Sequence, residues 1–126
     1  KKISQKISFF PQLSHQNLMK MFYISDVFLL YSDSEGQPNT VIEALSQGCT
    51  VISTPVGSIT EVIEHGKTGF LFNKGDDLLL LKSVNLALKK SKENPISQAS
   101  ISHYSRSFSE AIFLTSFDSI VDRLTQ

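Results

Sequence analysis

The sequence predicts an α/β fold in which a parallel sheet is flanked by helices. Two observations carry this. Short, β-branched and aromatic runs recur without a polar interruption: ISFF at 7–10, DVFLLY at 26–31, TVIS at 50–53 and FLF at 70–72. Segments with apolar residues at helical spacing alternate with them. A strand covered on both faces reads as a continuous apolar run. Alternation with helices then implies right-handed crossovers between parallel strands.

Taken in order, residues 7–10 are predicted as a buried strand stopped by Pro11. SHQNLMKMFYIS carries apolar residues at 18, 19, 22 and 23, and Ser14 suits its N-cap. Residues 26–31 form the next strand. TVIEALSQ follows as a two-turn helix, closed by Gly48 where a positive φ is wanted. TVIS is a short buried strand, TPVGS a turn, and ITEVIEH a helix stopped by Gly66. GKTG turns into the FLF strand and NKGDD turns out of it. Asp76 or Asp77 caps a helix running to about Lys90, with leucines on its inner face. SKENP breaks that helix, and two more are expected over 96–104 and 109–124. The expected organisation is a partial sheet domain over 1–94 and a helical tail over 95–126.

Length and charge narrow the function classes. A chain of 126 residues suits one domain and can bury roughly two-thirds of its unfolded surface. Twelve basic residues balance twelve acidic ones, and the lysines are scattered, so nucleic acid is not an expected partner. The single cysteine, Cys49, has no partner for an internal disulfide and fits a reducing compartment. It is read as a packing residue. LLLL at 78–81 is too short to span a bilayer. His15, His65 and His103 are too scattered for an obvious metal site, and His65 is read as a helix C-terminal dipole partner. The chain opens on KKISQ without Met, so a longer parent protein is expected.

The loop SDSEGQPN lies at the carboxyl end of the 26–31 strand, where open α/β sheets bind ligands. A helix starts directly after it. Its first N–H groups lack intrahelical partners and carry about half a positive charge, which suits phosphate. Gly36 removes a side chain where a ligand would meet the backbone. Pro38 stiffens the loop without offering a donor. Glu35 sits in the loop and Glu43 in the first helical turn, and carboxylates accept paired bonds from vicinal hydroxyls. A diphosphate joined to two polyol ends, as in a nucleotide sugar, fits this layout. Spacing alone leaves a simpler reading open. Thr40-Val41-Ile42-Glu43 also matches a capping box, with Glu35 a solvated loop acid and Gly36 and Pro38 ordinary turn residues.

The wider pattern resembles the donor-binding half of the GT-B glycosyltransferases, specifically family GT4. SDSEGQPNTVIEALSQGCTVIS matches its E-x7-E signature within S-x-x-E-G-x6-E-A-x3-G-x-x-V-I. FYISDVFLLYS resembles the helix-to-strand lead-in, EVIEHGKTGFLF the later glycine-hydrophobic segment, and Ser107-Phe108-Ser109 the mark before a final helix. The resemblance implies a Rossmann-like domain and a retaining transfer of a hexose-type sugar from a UDP- or GDP-linked donor, with no bound metal. It makes Glu35 the catalytic residue, contacting the donor sugar and stabilising charge at the anomeric carbon. The N–H groups of the stretch Gly36, Gln37, Pro38, Asn39 and Thr40 would hold the diphosphate and sugar, Pro38 contributing none. Glu43 would accept from the ribose, and the loop at Pro11 and Gln12 would lie near the base. The transition state is oxocarbenium-like, so nearby negative oxygens favour it.

The family's other parts set further expectations. In its strand order 3-2-1-4-5-6, the 7–10 strand would be third and the 26–31 strand fourth. The first two strands, a loop with an Arg–Lys pair and an acceptor-binding domain would precede residue 7. The chain is therefore expected to be an incomplete C-terminal part, inactive alone and with unpaired sheet edges. One glycine, Gly57, stands where the family often has two. The implied partners are a nucleotide sugar, a saccharide or lipid-linked acceptor and the missing N-terminal domain, in the cytoplasm or at the inner face of a membrane. Two rival readings remain: a nucleotide-sugar epimerase of the same architecture, and a non-catalytic doubly wound nucleotide-binding module.

Overall fold

A computed structural model describes residues 6–90. The expected 95–126 tail with its two helices, His103 and the Ser107-Phe108-Ser109 mark lie outside the described residues. Among the described residues the sheet has three parallel strands, β1 (Val27–Leu30), β2 (Thr50–Ser53) and β3 (Gly69–Leu71), in the order β1-β2-β3. Four helices connect and cover them: α1 (His15–Ile24), α2 (Asn39–Ser46), α3 (Ile59–Val62) and α4 (Asp77–Lys90).

The two faces of β2 explain its uninterrupted apolar sequence. Successive side chains point to opposite faces of a strand. Val51 packs with Phe22 of α1, Val41, Ala44 and Leu45 of α2, and Ile59 and Val62 of α3. Its neighbour Ile52 packs on the other face with Phe70, Phe72 and Ala87 of α4. All four residues of β2 are buried. Each such aliphatic side chain contributes about 1.5–3 kcal/mol on burial. The Thr50 N–H donates to the Asp26 carbonyl at 3.0 Å and the Thr54 N–H to the Leu30 carbonyl at 3.2 Å. These bonds fix the β1–β2 register and so the height at which the strand-end loops emerge.

Caps fall where their chemistry requires. Ser14 accepts from the Asn17 N–H at 3.3 Å and starts α1. Asp76 accepts from the Leu79 N–H at 3.0 Å and starts α4. Gly48 has φ 81° just past α2. The leucines of α4 divide: Leu79 and Leu80 pack toward the sheet, whereas Leu78 and Leu81 are exposed.

Two expectations are corrected. Residues 7–10 form no strand, and Phe9 is 92% exposed. A strand needs a ladder partner for its N–H and C=O groups, and among the described residues β1 pairs with β2 alone. The second concerns His65. The helix ends at Val62, and the His65 Nδ1 accepts from the Leu71 N–H at 2.9 Å. The ring stands edge-on to Phe70, so it supports β3 instead of a helix terminus. No helix among the described residues is long and apolar enough to cross a membrane.

Cys49 is fully buried, with its S–H directed at the Ser25 carbonyl at 3.5 Å. Burial, helped by the Asp26 charge, pushes its thiol up from 9.0 to about 11. The unfolded chain therefore loses this proton first as pH rises, and stability from the group is complete below 9.0 and falls towards 11. We expect the unaltered protein to lose about 2 kcal/mol more stability than Cys49→Ala across that window. Denaturant titrations of both proteins from pH 8 to 11 measure it.

Candidate functional site

The loop between β1 and α2 is fastened at its start. The Ser32 N–H donates to Thr54 Oγ1 at 3.1 Å, and the Thr54 hydroxyl returns a bond to the Ser32 carbonyl at 2.7 Å. Thr54 is buried, so this pair excludes water from its own bonds. Ser32 Oγ then donates to the Ser34 carbonyl at 2.9 Å. Lys74, in the turn after β3, ion-pairs with Asp33 and stands 5.1 Å above the Tyr31 ring. The loops after the two outer strands are thus tied together across the carboxyl end of the sheet.

Behind the loop lies Gly57. Its φ is +54°, and a Cβ there would fall 2.1 Å from the Glu35 carbonyl oxygen. The Glu35 backbone rests against a residue with no side chain. Glu35 is half-buried, and its carboxylate has no hydrogen-bond partner among the described residues. Gly36 differs from Gly57. Its φ is not in the left-handed region, and a Cβ there would meet nothing within 4 Å. Neither backbone conformation nor packing within the described residues calls for glycine at 36.

The loop ends in a tight turn. Pro38 is buried with φ −81° and ψ 50°, close to an inverse γ-turn. The Asn39 N–H donates across it to the Gln37 carbonyl at 2.9 Å, and the Ile42 N–H makes the first full helical bond to the Pro38 carbonyl at 3.0 Å. The N–H groups of Gly36, Gln37, Thr40 and Val41 have no acceptor among the described residues. Of the backbone donors expected to serve a ligand, Asn39 is therefore already occupied.

The capping box is not made. Because α2 starts at Asn39 with Pro38 as its cap, Glu43 lies beyond the first turn, out of register for a return bond to Thr40. Its Oε1 instead meets His15 Nε2 at 3.0 Å. His15 is the first residue of α1, three residues after Gln12 and four after Pro11. Pro11 and Gln12 are exposed, and neither bonds to the 32–38 loop. His15 thus links their end of the chain to the α2 carboxylate. No sequence signal marked His15 for this role, since the two residues are 28 apart. No enclosed pocket, and no group of three His, Cys, Asp or Glu able to hold a metal ion, occurs among the described residues.

The loop carrying Glu35 thus leads from the carboxyl end of β1 into the start of α2, where the Thr40 and Val41 N–H groups have no acceptor among the described residues. The family model of the Glycosyl transferases group 1 matches residues 1–107. The chain belongs to this family. The N-acetyl-alpha-D-glucosaminyl L-malate synthase of Bacillus anthracis is 42% identical over 60 residues, 48% of this chain and 16% of that protein. The sucrose-phosphate synthase of Thermosynechococcus elongatus superposes with a TM-score of 0.85 at 18% identity, over 98% of this chain and 31% of that one. The Anabaena protein Alr3699/HepE in complex with UDP superposes at 0.68 and 22% identity, over 84% and 29%. This group 1 glycosyltransferase chain therefore spans less than a third of each of these relatives, and shares the GT-B fold of its structural neighbours over that part.

Proposed function

We propose that this chain is the donor-binding part of a retaining, nucleotide-sugar-dependent glycosyltransferase of the GT4 type. The enzyme transfers a hexose-type sugar from a UDP- or GDP-linked donor to a hydroxyl of a saccharide or lipid-linked acceptor, in the cytoplasm. The reading rests on Gly36. This residue stands beside unpartnered N–H groups at a helix start, and nothing in the backbone or packing requires it to be glycine. A ligand that touches the backbone supplies the missing reason. The diphosphate accepts from the Gly36, Gln37 and Thr40 N–H groups and gains from the α2 dipole as it leaves. Glu35 faces the sugar and Glu43 the ribose. The similarity to a protein solved with UDP supports this class of donor, and a relative named for amylovoran biosynthesis supports the saccharide acceptor.

Gly36→Val tests the reading in the full-length enzyme. A side chain at this position meets only ligand, so thermal stability changes by less than about 0.5 kcal/mol. Calorimetric affinity for UDP or GDP is expected to fall at least roughly tenfold, the loss of one or two charge-assisted bonds. Unchanged affinity for both nucleotides would return Gly36 to the role of a turn residue.

A further inference from the structure

We propose that His15 is a positioning residue for the donor nucleotide, acting through Glu43; this rests on the reading of Glu43 as the ribose-binding carboxylate. The contact spans two helices. His15 Nε2 lies 3.0 Å from Glu43 Oε1, with side chains 70% and 30% exposed. With its proton on Nε2, the neutral ring donates to the carboxylate, and the protonated ring does so with charge as well.

The packing of α1 against α2 sets the geometry of this bond. Ser14 caps α1 through the Asn17 N–H, and its carbonyl accepts from the Leu18 N–H at 2.9 Å, so the His15 backbone is held. Phe22 of α1 is buried in the same cluster as Val41, Ala44 and Leu45 of α2, with Leu18 and Met19 packed against it. The two helices therefore fix the distance that the His15–Glu43 bond closes. Glu43 also sits against the first turn of α1, where a negative charge is favoured.

The consequence is selective. An exposed pair adds little to stability. It does restrict a glutamate that otherwise samples many rotamers and would lose that freedom on binding. One carboxylate oxygen is engaged by the ring while the other is left for a ribose hydroxyl. His15 thus acts on nucleotide affinity and not on bond cleavage.

The test uses the full-length enzyme, with UDP and GDP as calorimetric probes and turnover measured alongside. His15→Ala and His15→Phe should each weaken the better-bound nucleotide roughly three- to tenfold, the range of one hydrogen bond. The donor KM should rise in step while kcat at saturating donor holds. His15→Gln, which keeps an N–H donor, should recover most of the loss. In a Glu43→Ala background, His15→Ala should add nothing. An effect of equal size in both backgrounds overturns the proposal, as does a loss in the Ala variant that Phe restores. If Glu43→Ala weakens binding but His15→Ala does not, His15 fails and the donor-site reading stands. If Glu43→Ala leaves affinity unchanged, that reading falls and takes His15 with it.

Discussion

Gly57→Ala is expected to cost more than any other single-methyl change in the described residues near the site. The added Cβ would fall 2.1 Å from the Glu35 carbonyl oxygen, 3.1 Å from its carbon and 3.7 Å from its Cα. All three are backbone atoms, so no side-chain rotation relieves the clash. The φ of +54° adds a further penalty of about 1–2 kcal/mol for a residue with a Cβ. Either the β2–α3 turn or the Glu35 loop must move. Displacing a reacting group by about 1 Å can cost 10²-fold in rate. We therefore expect a stability loss of about 3 kcal/mol, the upper range for a backbone clash at a positive φ, with turnover down about 10²-fold. Thermal unfolding and steady-state assays of the full-length enzyme measure both. An unaltered midpoint with unaltered turnover would mean that the Glu35 backbone does not rest on this turn.

Glu35→Ala should separate catalysis from folding. The carboxylate is half-buried and has no partner among the described residues, so its removal breaks no hydrogen bond there. Its proposed role is to stabilise positive charge that develops at the anomeric carbon. Removing one such stabilising group typically lowers kcat by about 10²–10³-fold. Affinity for UDP or GDP should stay within about threefold, because the contacts proposed for the nucleotide are the α2 start and Glu43. A variant that loses nucleotide affinity and turnover equally would make Glu35 a binding residue instead. One that loses neither would make it a solvated loop acid.

The sequence disclosed what depends on near neighbours. β2 was readable over its whole length because both of its faces are covered, which removes the polar alternation. Ser14 and Asp76 were readable as caps because their bonds close within three residues. The start of α2 was less so, since Pro38 builds a γ-like turn that moves the N-cap back two positions from Thr40 to Pro38 and cancels the capping box. Residues 7–10 have strand composition, yet composition does not provide a ladder partner. Within the candidate site, spacing singled out Glu35, Gly36 and Glu43 but left a capping reading open, and their assigned roles came from the wider family pattern. What holds them was not visible. Thr54 lies 22 residues from Ser32, His15 lies 28 from Glu43, and Gly57 meets Glu35 across a strand and a helix. Each of these is a tertiary contact with no periodic trace in the chain.

In the proposed donor site, the α2 start and its preceding loop hold the diphosphate. A crystal structure of the full-length enzyme with bound UDP or GDP tests it most directly. We expect phosphate oxygens within hydrogen-bond distance of the Gly36, Gln37 and Thr40 N–H groups, with a ribose hydroxyl on Glu43 and Glu43 still bonded to His15. A nucleotide bound with its diphosphate away from residues 36–40, and Glu43 turned to solvent, would contradict it.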